Sequence, residues 1–576
     1  MLIKLHNLLL CASAALPLVC ILESPGSEPE QISIDQVAYN SVGYLPGAPK
    51  IITIQAEAPK LRFSLVERGS DNVVLQGDCL GPEVDPDTSL RVFIADCSAI
   101  RTPGYYELRF EGSPTTKSIR VSPTAYDNAF CDVCHAMHLW RCGTTVSLKR
   151  GDDNFGHAAC HLNDGELSLS GVPGEHKDGV GGWHDAGDFN KYTLNAAFTV
   201  GVMLDAWEQF GDRLRPLVLE IPESNNNTPD YLDEIRWELE WILKMQAEDG
   251  SVFHKLSTQK FSKFMMPNEE KVTRYFSPAG TAATASFVAV LAKASRSFKS
   301  YDPVFAKTCL EAAVRSFAFL QQHPEEITPD LSAFKTGAYK SRDSGYRLWA
   351  AAEMWRSTGR REYLTDVETR IAALVQESQL SGGLVKANWQ WSTPENLGLL
   401  AYLRSNLPGS DSRLQKLVKQ QALFTADHLV RTAKDHCYGR TLGNDYHWGC
   451  NGSVALSAMN LMVAYELAED ERYKNGTLDV LNYLFGRNVY GRSFVTGLGA
   501  DPPRFPHDCQ CTADGIERPI PGYLVGGGWP KATDWEDSNT NYKTNEIAIN
   551  WNGALVYAMA GFLSGEEETL DEGKSP

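Results

Sequence analysis

The sequence has no excess of basic residues. Its 54 lysines and arginines are outnumbered by 72 aspartates and glutamates, so the formal net charge is −18 and the isoelectric point is near 5.3. Proteins that bind nucleic acids or anionic membranes need basic patches, and this balance argues against both partners. A neutral polysaccharide is compatible with the charge, although the charge does not imply one.

The chain also lacks, after its first residues, a hydrophobic run long enough to span a bilayer. Residues 1–22 combine a basic residue with an apolar run at 8–16 and small residues at 12–14, which is typical of a secretory signal peptide. Cys20 would favour a lipoprotein, but Val19 precedes it where a small residue is wanted. We therefore expect a secreted or periplasmic protein without a membrane span.

Two patterns divide the rest of the 576 residues, a length that suggests two or more domains. Residues 32–122 alternate apolar and polar side chains with a period of two between Gly and Pro turns, which predicts a small β-sandwich. In residues 123–565 apolar side chains recur at spacings of three and four, which predicts helices. The predicted fold class is mainly α, with the sandwich first.

Twelve helices are predicted in the second region. They lie at 125–140, 188–210, 229–246, 280–297, 303–321, 343–357, 361–376, 395–405, 411–432, 447–468, 471–486 and 543–563. Twelve helices that alternate with loops, without a strand pattern between them, fit six antiparallel hairpins closed in a ring.

Two aspartates stand three residues apart in the segment 181–192, which reads GGWHDAGDFNKY. Ala186 and Gly187 allow a tight turn, so Asp185 and Asp188 can point at one small volume. Two carboxylates placed in this way could share a water or a cation, and their repulsion would raise the pKa of one of them. That arrangement suits a general base that activates water. The alternative is that Asp185 caps the following helix.

A third carboxyl group lies near the C-terminus, in the segment 542–552, which reads YKTNEIAINWN. Glu546 stands where a polar segment becomes apolar, at the expected start of a helix. Beside Tyr542, Ile547 and Trp551 it should be poorly solvated and keep its proton to higher pH. The alternative is a first-turn glutamate favoured by the helix dipole.

The two segments, with the chain between them, closely resemble glycoside hydrolase family 9, the inverting cellulases. The family's WHDAGD and NEIAINWN motifs stand here unaltered, and the resemblance covers roughly residues 32–563. It implies an immunoglobulin-like module followed by an (α/α)6 barrel with a cleft. In the implied mechanism Asp188 is the general base, Asp185 positions the water, and Glu546 protonates the leaving glycosidic oxygen.

Two cysteines and two histidines are the predicted metal ligands: Cys142, Cys160, His161 and His184. Two thiolates and two imidazoles suit a closed tetrahedral zinc site, and the resemblance places zinc at these positions in members with the immunoglobulin-like module. Since His184 directly precedes Asp185, we expect a structural zinc that clamps the catalytic loop. The alternative is an ordinary buried polar cluster.

The remaining cysteines are interpreted without a metal. One set falls on mixed faces of a predicted helix and should serve the core: Cys131, Cys134, His135 and His138. Two further pairs could form disulfides or stay free thiols: Cys79 with Cys97, and Cys509 with Cys511.

Several aromatic residues are candidates for sugar stacking, because aromatic rings bury the apolar face of a pyranose. Trp391, Trp448 and Tyr542 are predicted to bind substrate, with Trp389 as a further candidate; the alternative for each is a place in the core. The resemblance adds His507 as a substrate-contacting residue.

Three departures from the family pattern affect the cleft. Asp508 and Cys509 stand where the family usually has His and Arg, so a charged donor to the sugar is missing. Gly345 and Tyr346 replace the usual Asp-Glu, and because calcium needs several oxygen ligands we expect that site to be lost. The loop at 525–537 is also short for the family.

The sequence thus predicts a monomeric endoglucanase that acts on the β-1,4 bonds of cellulose or a related glucan. An exo-acting hydrolase of cello-oligosaccharides or glucosamine oligosaccharides is the alternative within enzymes. A non-catalytic glycan-binding protein is the alternative from another class.

Overall fold

The structure is a computed structural model that describes residues 31–381 and 383–565. The predicted signal peptide and Cys20 lie outside the described residues, so secretion stays a prediction. In the described part of the chain, no helix is long and apolar enough to cross a membrane.

Eight strands at the N-terminal end form two antiparallel sheets. They are β1 (Ile34–Ala38), β2 (Ile51–Ala56), β3 (Arg62–Glu67), β4 (Val73–Asp78), β5 (Leu80–Val84), β6 (Arg91–Asp96), β7 (Gly104–Phe110) and β8 (Thr116–Val121). The sheet orders are β1-β2-β6-β5 and β4-β3-β7-β8. Alternate residues of β7, Tyr106, Leu108 and Phe110, are buried between the sheets, and the predicted sandwich is confirmed.

Helices follow from residue 127. They are α1 (Asp127–Leu139), α2 (Thr193–Leu214), α3 (Asp230–Lys244), α4 (Thr281–Ser297), α5 (Pro303–Gln322), α6 (Asp343–Thr358), α7 (Arg361–Ser381), α8 (Glu395–Leu403), α9 (Ser412–Asp435), α10 (Cys450–Ala468), α11 (Glu471–Leu484), α12 (Cys509–Ala513), α13 (Tyr542–Asn545) and α14 (Ile549–Ala560). Short strands lie between them: β9 (Val146–Arg150), β10 (Asp153–His157), β11 (Lys191–Tyr192), β12 (Lys255–Ser257) and β13 (Tyr275–Phe276).

Six of the helices form an inner ring. α2, α4, α6 and α8 contact one another in turn, and α10 contacts α14, which contacts α2. Asn396 on α8 donates to Asn460 on α10 (Nδ2 to Oδ1, 3.3 Å), which closes the ring. The inner helices are buried along most of their length, whereas α3, α9 and α11 bury one face. The predicted (α/α)6 barrel is confirmed.

The last predicted helix, 543–563, is in fact two helices with an extended link between them. Glu546 follows α13, and Ala548 has φ −156° and ψ 149°. In this link Ile547 pairs with Val525, and Ala548 pairs with Ala186. Glu546 therefore does not begin a helix, and the alternative of a first-turn glutamate is wrong.

The helix predicted from residue 188 begins only at Thr193. Its N-cap residue is Tyr192, and no side chain caps it. The alternative that Asp185 is a helix cap is therefore wrong, and Asp188 lies in the loop before α2. This loop and the link before α14 meet at one end of the barrel.

Candidate active site

The loop that carries the two aspartates is held from both sides. The backbone N–H of Asp185 donates to Asn190 O (3.1 Å), and the N–H of Ile549 donates to Asp185 O (2.9 Å). A Cβ at Gly187 would lie 2.3 Å from the carbonyl oxygen of His507, so only glycine allows this close approach. The loop is thereby fixed against the segments that precede α12 and α14.

Asp185 is buried, and each of its carboxylate oxygens accepts a hydrogen bond. Asn195 donates to its Oδ1 (2.8 Å), and the Tyr339 hydroxyl donates to its Oδ2 (2.5 Å). Burial, with the nearby charge of Asp188, raises the pKa of Asp185 to about 8, although the two donors favour its ionised form. Both oxygens are thus held in one orientation.

Asp188 is partly exposed to the cavity. Its Oδ2 accepts hydrogen bonds from the side chain and the backbone N–H of Asn190 and from the Tyr192 hydroxyl (3.3 Å). Burial raises the pKa of Asp188, and these donors oppose that rise. The Tyr192 oxygen also accepts from the N–H of Gly337 (3.1 Å), so its hydroxyl proton is directed at the carboxylate.

Glu546 projects from the extended link beside the aspartate loop. Burial raises the pKa of Glu546 well above its usual value, and the charges of Asp188 and Asp185 raise it further. Hydrogen bonds from the Trp448 side chain and the Gly187 backbone act in the opposite direction. The surroundings of Glu546 therefore favour its protonated form.

The three carboxyl groups line one cavity of about 400 Å³. Like charges in so small a volume cannot all be ionised together. The pKa of each of the three carboxyl groups is raised, and carboxyl groups with shifted pKa values in one cavity are what a general acid and a general base require.

The aromatic residues Trp391 and Trp448 line the same cavity. The Trp391 ring lies 4.7 Å from the ring of Tyr339, and Trp448 is 45% exposed. Tyr542 is also 45% exposed, and its ring stands 5.6 Å from that of Trp448. These three rings are available to a sugar chain.

Trp389 is not available to a ligand. It is 1% exposed, and its ring packs against Phe198 at 5.9 Å. For Trp389 the alternative of a place in the core is therefore correct.

His507 lies near the cleft, next to the extended link between α13 and α14. Its backbone pairs with Glu546, its Nδ1 is 2.6 Å from Asn539 O, and its ring is 6.0 Å from that of Tyr542. The following Asp508 is buried and caps α12 through the N–H of Cys511 (2.8 Å). The carboxyl group of Asp508 therefore serves the loop and not the cleft.

The four predicted metal ligands meet directly behind the aspartate loop. Their ligand atoms all lie within 4.8 Å of one another. Cys142 Sγ is 3.5 Å from His161 Nδ1 and 4.0 Å from Cys160 Sγ. Cys160 Sγ is 3.6 Å from His184 Nε2. Ligands of a tetrahedral zinc, with bonds of about 2.3 Å to sulfur and about 2.0–2.1 Å to nitrogen, stand about 3.3–3.8 Å apart, and the three distances of 3.5–4.0 Å are close to that spacing.

Glu270 supports this cluster from outside. Its Oε2 lies 3.0 Å from His161 Nε2, and its Oε1 accepts a hydrogen bond from Ser262. A carboxylate on the second nitrogen of a ligating histidine fixes the tautomer and the ring orientation. Glu270 therefore orients the His161 ring while the other ring nitrogen, Nδ1, lies beside Cys142.

The other cysteine–histidine set, which comprises Cys131, Cys134, His135 and His138, belongs to the core. His135 Nε2 is 2.6 Å from Leu219 O, and His138 Nδ1 is 3.2 Å from Glu234. Within the described residues, the ligand set around His184 is the single group suited to a metal. The cysteines that could have formed disulfides are free thiols: Cys79, Cys97, Cys509 and Cys511.

The segment of the expected calcium site is occupied by other contacts. Asp343 is paired with Arg347 (2.6 Å), and a Cβ at Gly345 would stand 2.9 Å from the Glu395 carboxyl group. The loss of calcium binding stays a prediction.

Sequence reasoning missed several residues of the site: Asn195, Tyr339 and Glu270 gave no signal of their own. Asn190 and Tyr192 belong to the GGWHDAGDFNKY segment, but their roles could not be read there. Tyr339 and Glu270 are far from the motifs in sequence and reach the site only through the fold.

The comparisons with known proteins agree with this geometry. Residues 126–559 match the model of glycosyl hydrolase family 9, and residues 30–115 match the cellulase N-terminal ig-like domain. The chain is 44% identical over 552 residues to endoglucanase D of Acetivibrio thermocellus, an alignment that covers 94% of this chain and 86% of the relative.

Solved structures give the same result. A metagenome-derived family 9 endoglucanase superposes with a TM-score of 0.84 at 30% identity, covering 92% of this chain and 99% of that one. The family 9 endoglucanase J30, in a Zn-binding triple-mutant form, superposes with a TM-score of 0.83 at 28% identity, covering 90% and 100%. The chain belongs to glycosyl hydrolase family 9 and carries that family's cellulase-type immunoglobulin-like domain at its N-terminal end.

Proposed function

We propose that the protein is an endo-acting glycoside hydrolase that cleaves the β-1,4 bonds of cellulose or a related β-glucan with inversion. The observation that carries this proposal is the convergence of Asp185, Asp188 and Glu546 on one cavity lined by aromatic rings. The family of the chain and its identity to endoglucanase D support it.

In the proposed reaction Glu546 is the general acid. Its raised pKa keeps a proton available for the glycosidic oxygen as the bond to the anomeric carbon breaks. Asp188 removes a proton from the attacking water, helped by the Asn190 and Tyr192 donors that stabilise its ionised form. Asp185, fixed by Asn195 and Tyr339, positions that water. In inverting enzymes the acid and the base stand about 6.5–9.5 Å apart, to leave room for the water.

Replacement of the general base tests this assignment. We expect Asp188→Ala to lower kcat on soluble cellulose derivatives by about 10²–10⁴-fold while its thermal unfolding stays that of a folded protein. Asp152→Ala, at an exposed position, is the matched control and should keep wild-type activity. Near-normal turnover in Asp188→Ala would sink the assignment.

The products decide between the candidate activities. An endoglucanase should reduce the viscosity of a cellulose solution early, before many reducing ends appear, and should release the α-anomer as its first product. A single short product from cellohexaose would favour the exo-acting alternative, and activity on chitosan oligomers would favour an amino-sugar substrate. Binding without cleavage would favour a glycan-binding protein.

We further propose that Cys142, Cys160, His161 and His184 hold one structural zinc ion. Four protein ligands leave no open position for water, so the metal would act by fixing the backbone and not by chemistry at the metal. His184 is adjacent to Asp185, and its N–H donates to Trp140 O (2.8 Å). The metal would therefore hold the aspartate loop in its catalytic position.

Metal analysis tests the zinc proposal. We expect one zinc per chain in purified wild-type protein, and we expect Cys160→Ser to lose zinc, melt at a lower temperature and lose activity together. The control is Cys131→Ser, which changes a thiol of α1 outside the predicted metal ligands and should retain the metal. Absence of stoichiometric zinc from protein never exposed to chelator would decide for a buried polar cluster.

A further inference from the structure

A buried lysine lies next to the tyrosine that donates to Asp188. Lys255 belongs to β12, and its backbone pairs with that of Tyr192 in β11. Its side chain is fully buried, and its ammonium group stands 5.5 Å from the centre of the Tyr192 ring, a distance at which a cation is attracted to an aromatic face. Its Nζ donates to Thr336 Oγ1 (2.9 Å) and to Gly337 O (2.8 Å). Lys255 therefore joins β12 to a second segment of the chain, which lies between α5 and α6.

The two acceptors of this lysine are neutral, although a fully buried lysine usually has a charged partner. Two other buried lysines, Lys191 and Lys293, pair with aspartates. Burial lowers the pKa of Lys255 to about 8, and the negative charge of Asp188 opposes that fall. Burial also lowers the pKa of the preceding His254 to about 4, so the lysine supplies the positive charge here at neutral pH. Because the attraction of two charges is mutual, the ammonium group favours ionised Asp188, the form that a general base needs.

The second segment is the α5–α6 loop, residues 323–342, which contains neither a helix nor a strand. Side chains from β12 and from the residue before it hold this loop at the cleft. Beside the two hydrogen bonds from the lysine, His254 Nε2 lies 2.7 Å from Ala338 O. Tyr339, which donates to Asp185, follows directly. The position of the Tyr339 hydroxyl therefore depends on these contacts and not on regular secondary structure.

Two series of contacts join the ammonium group of the lysine to the two aspartates. The N–H of Gly337 donates to the Tyr192 oxygen (3.1 Å), and the Tyr192 hydroxyl donates to Asp188 (3.3 Å). Two residues further along the same loop, Tyr339 donates to Asp185. A Cβ at Gly337 would stand 3.1 Å from the Tyr192 hydroxyl and 3.1 Å from the Tyr339 ring. The loop is thus packed closely against both tyrosines, and a displacement of the loop would move their hydroxyl groups.

We propose that Lys255 is a positioning residue for the reaction, which fixes the α5–α6 loop and thereby aligns the hydroxyls of Tyr192 and Tyr339 on the two aspartates. The inference rests on the proposed function and adds a residue that does not line the catalytic cavity. A misplacement of about 1 Å can cost about 10²-fold in rate, so such a residue affects turnover without contact with the sugar.

The charge of the lysine gives this role a signature of its own. The carboxyl groups of Asp185, Glu270 and Glu546 act on Asp188, and their negative charges favour its protonated form. The ammonium group of Lys255 opposes them. Its removal should therefore raise the pKa of Asp188, and a general base with a higher pKa becomes active only at higher pH.

Replacement of the lysine by an apolar side chain of similar length tests the proposal. For Lys255→Met we expect kcat on a soluble cellulose derivative to fall about 10²-fold, with a much smaller change in KM and an acid limb of kcat/KM that moves to higher pH. Thr336→Val removes one acceptor but keeps the ammonium group. It should lower kcat by a smaller factor and leave the acid limb in place.

Lys50, in the β-sandwich domain, provides a matched control. It is also fully buried, its Nζ donates to Pro46 O (3.0 Å) and Ala48 O (2.8 Å), and burial lowers its pKa to about 8. Lys50→Met should lower the Tm as Lys255→Met does, but it should keep the wild-type kcat and pH profile.

The outcomes separate this inference from the proposed function. If Lys255→Met loses no more kcat than Lys50→Met, or if its acid limb does not move, the inference is wrong while the proposed function stands. If Lys255→Met does not fold, Thr336→Val decides, and a wild-type kcat in that variant would overturn the inference. A wild type that does not cleave the cellulose derivative would overturn the proposed function itself.

Discussion

Tyr339, which lies outside the sequence motifs, contacts the loop that carries Asp185 and Asp188. Its hydroxyl donates to Asp185, and its ring packs between those of Tyr192 (4.5 Å) and Trp391 (4.7 Å). It has a left-handed backbone with φ +42°, which costs on the order of 1–3 kcal/mol and persists only where the surroundings enforce it. Tyr339 therefore links Asp185, a proposed catalytic carboxylate, to Trp391, a proposed sugar-binding ring.

Removal of that hydroxyl should move the acid limb of the pH profile. The Tyr339 donor favours ionised Asp185, so Tyr339→Phe raises the pKa of Asp185 above its value of about 8. A hydrogen bond to a charged group is worth about 1.5–3 kcal/mol, or about 1–2 pKa units. We expect the acid limb of kcat/KM to shift to higher pH by that amount. Tyr105→Phe, on the exposed surface of the β-sandwich, is the control, and an unchanged profile in Tyr339→Phe would contradict the role of Asp185.

At this scale the sequence predicts the residues that lie within motifs and misses those brought to them by the fold. Asp185, Asp188 and Glu546 were identifiable because their neighbours are distinctive, and the metal set was identifiable because two of its members are adjacent. Tyr339 is an ordinary tyrosine in a loop, and its left-handed backbone cannot be read from its neighbours. Trp389 shows the opposite error, since a tryptophan two residues from a cleft residue is buried.

Among the elements, the helices were predictable because each buries a face at a regular spacing. The break between α13 and α14 was not, because the link at 546–548 is extended by pairing with Val525 and Ala186, which are remote in sequence. That pairing is what turns Glu546 toward the aspartates. Glu546 thus lies in a segment whose extended backbone the local helical pattern did not predict.

Helix α3 supports the aspartate loop from the outer ring. Glu234 accepts a hydrogen bond from the Trp183 indole (2.9 Å), and Glu238, one turn later, accepts from the Trp183 backbone N–H. Arg141 pairs with Glu234 at 2.9 Å, and the charged side chains Arg141, Glu234 and Glu238 are all buried. Trp183, which precedes His184, is therefore held by α3, whose own sequence predicts only an amphipathic helix.

In the whole molecule, the β-sandwich is joined to the barrel by a polar interface. Thr53 donates to Cys437 O (2.7 Å), and Gln55 donates to the Tyr438 hydroxyl (2.7 Å). Asn40 donates to Asn482 on α11 (3.0 Å). Buried hydrogen bonds fix orientation because a shifted interface would leave their partners unsatisfied. The sandwich is therefore part of the frame of the enzyme, and the prediction of two modules did not reveal this contact.

Asp87 is a charged residue of that interface, and its loss should destabilise the whole molecule. It accepts a hydrogen bond from the Tyr446 hydroxyl (2.5 Å) and lies 3.3 Å from His436. Burial raises the pKa of Asp87, but the contacts with His436 and Tyr446 bring it below its usual value. Its contribution to stability is therefore present at neutral pH and is lost as the pH falls through the lowered pKa. We expect Asp87→Ala to lower the free energy of unfolding by about 1–3 kcal/mol at pH 7, a fall of about 1–3 °C in Tm for a chain of this length. The difference from wild type should shrink below about pH 4.

Asp78→Ala, which removes an exposed partner of Arg62, is the control and should leave the Tm unchanged. Equal losses of stability in the two variants would contradict a specific role for Asp87.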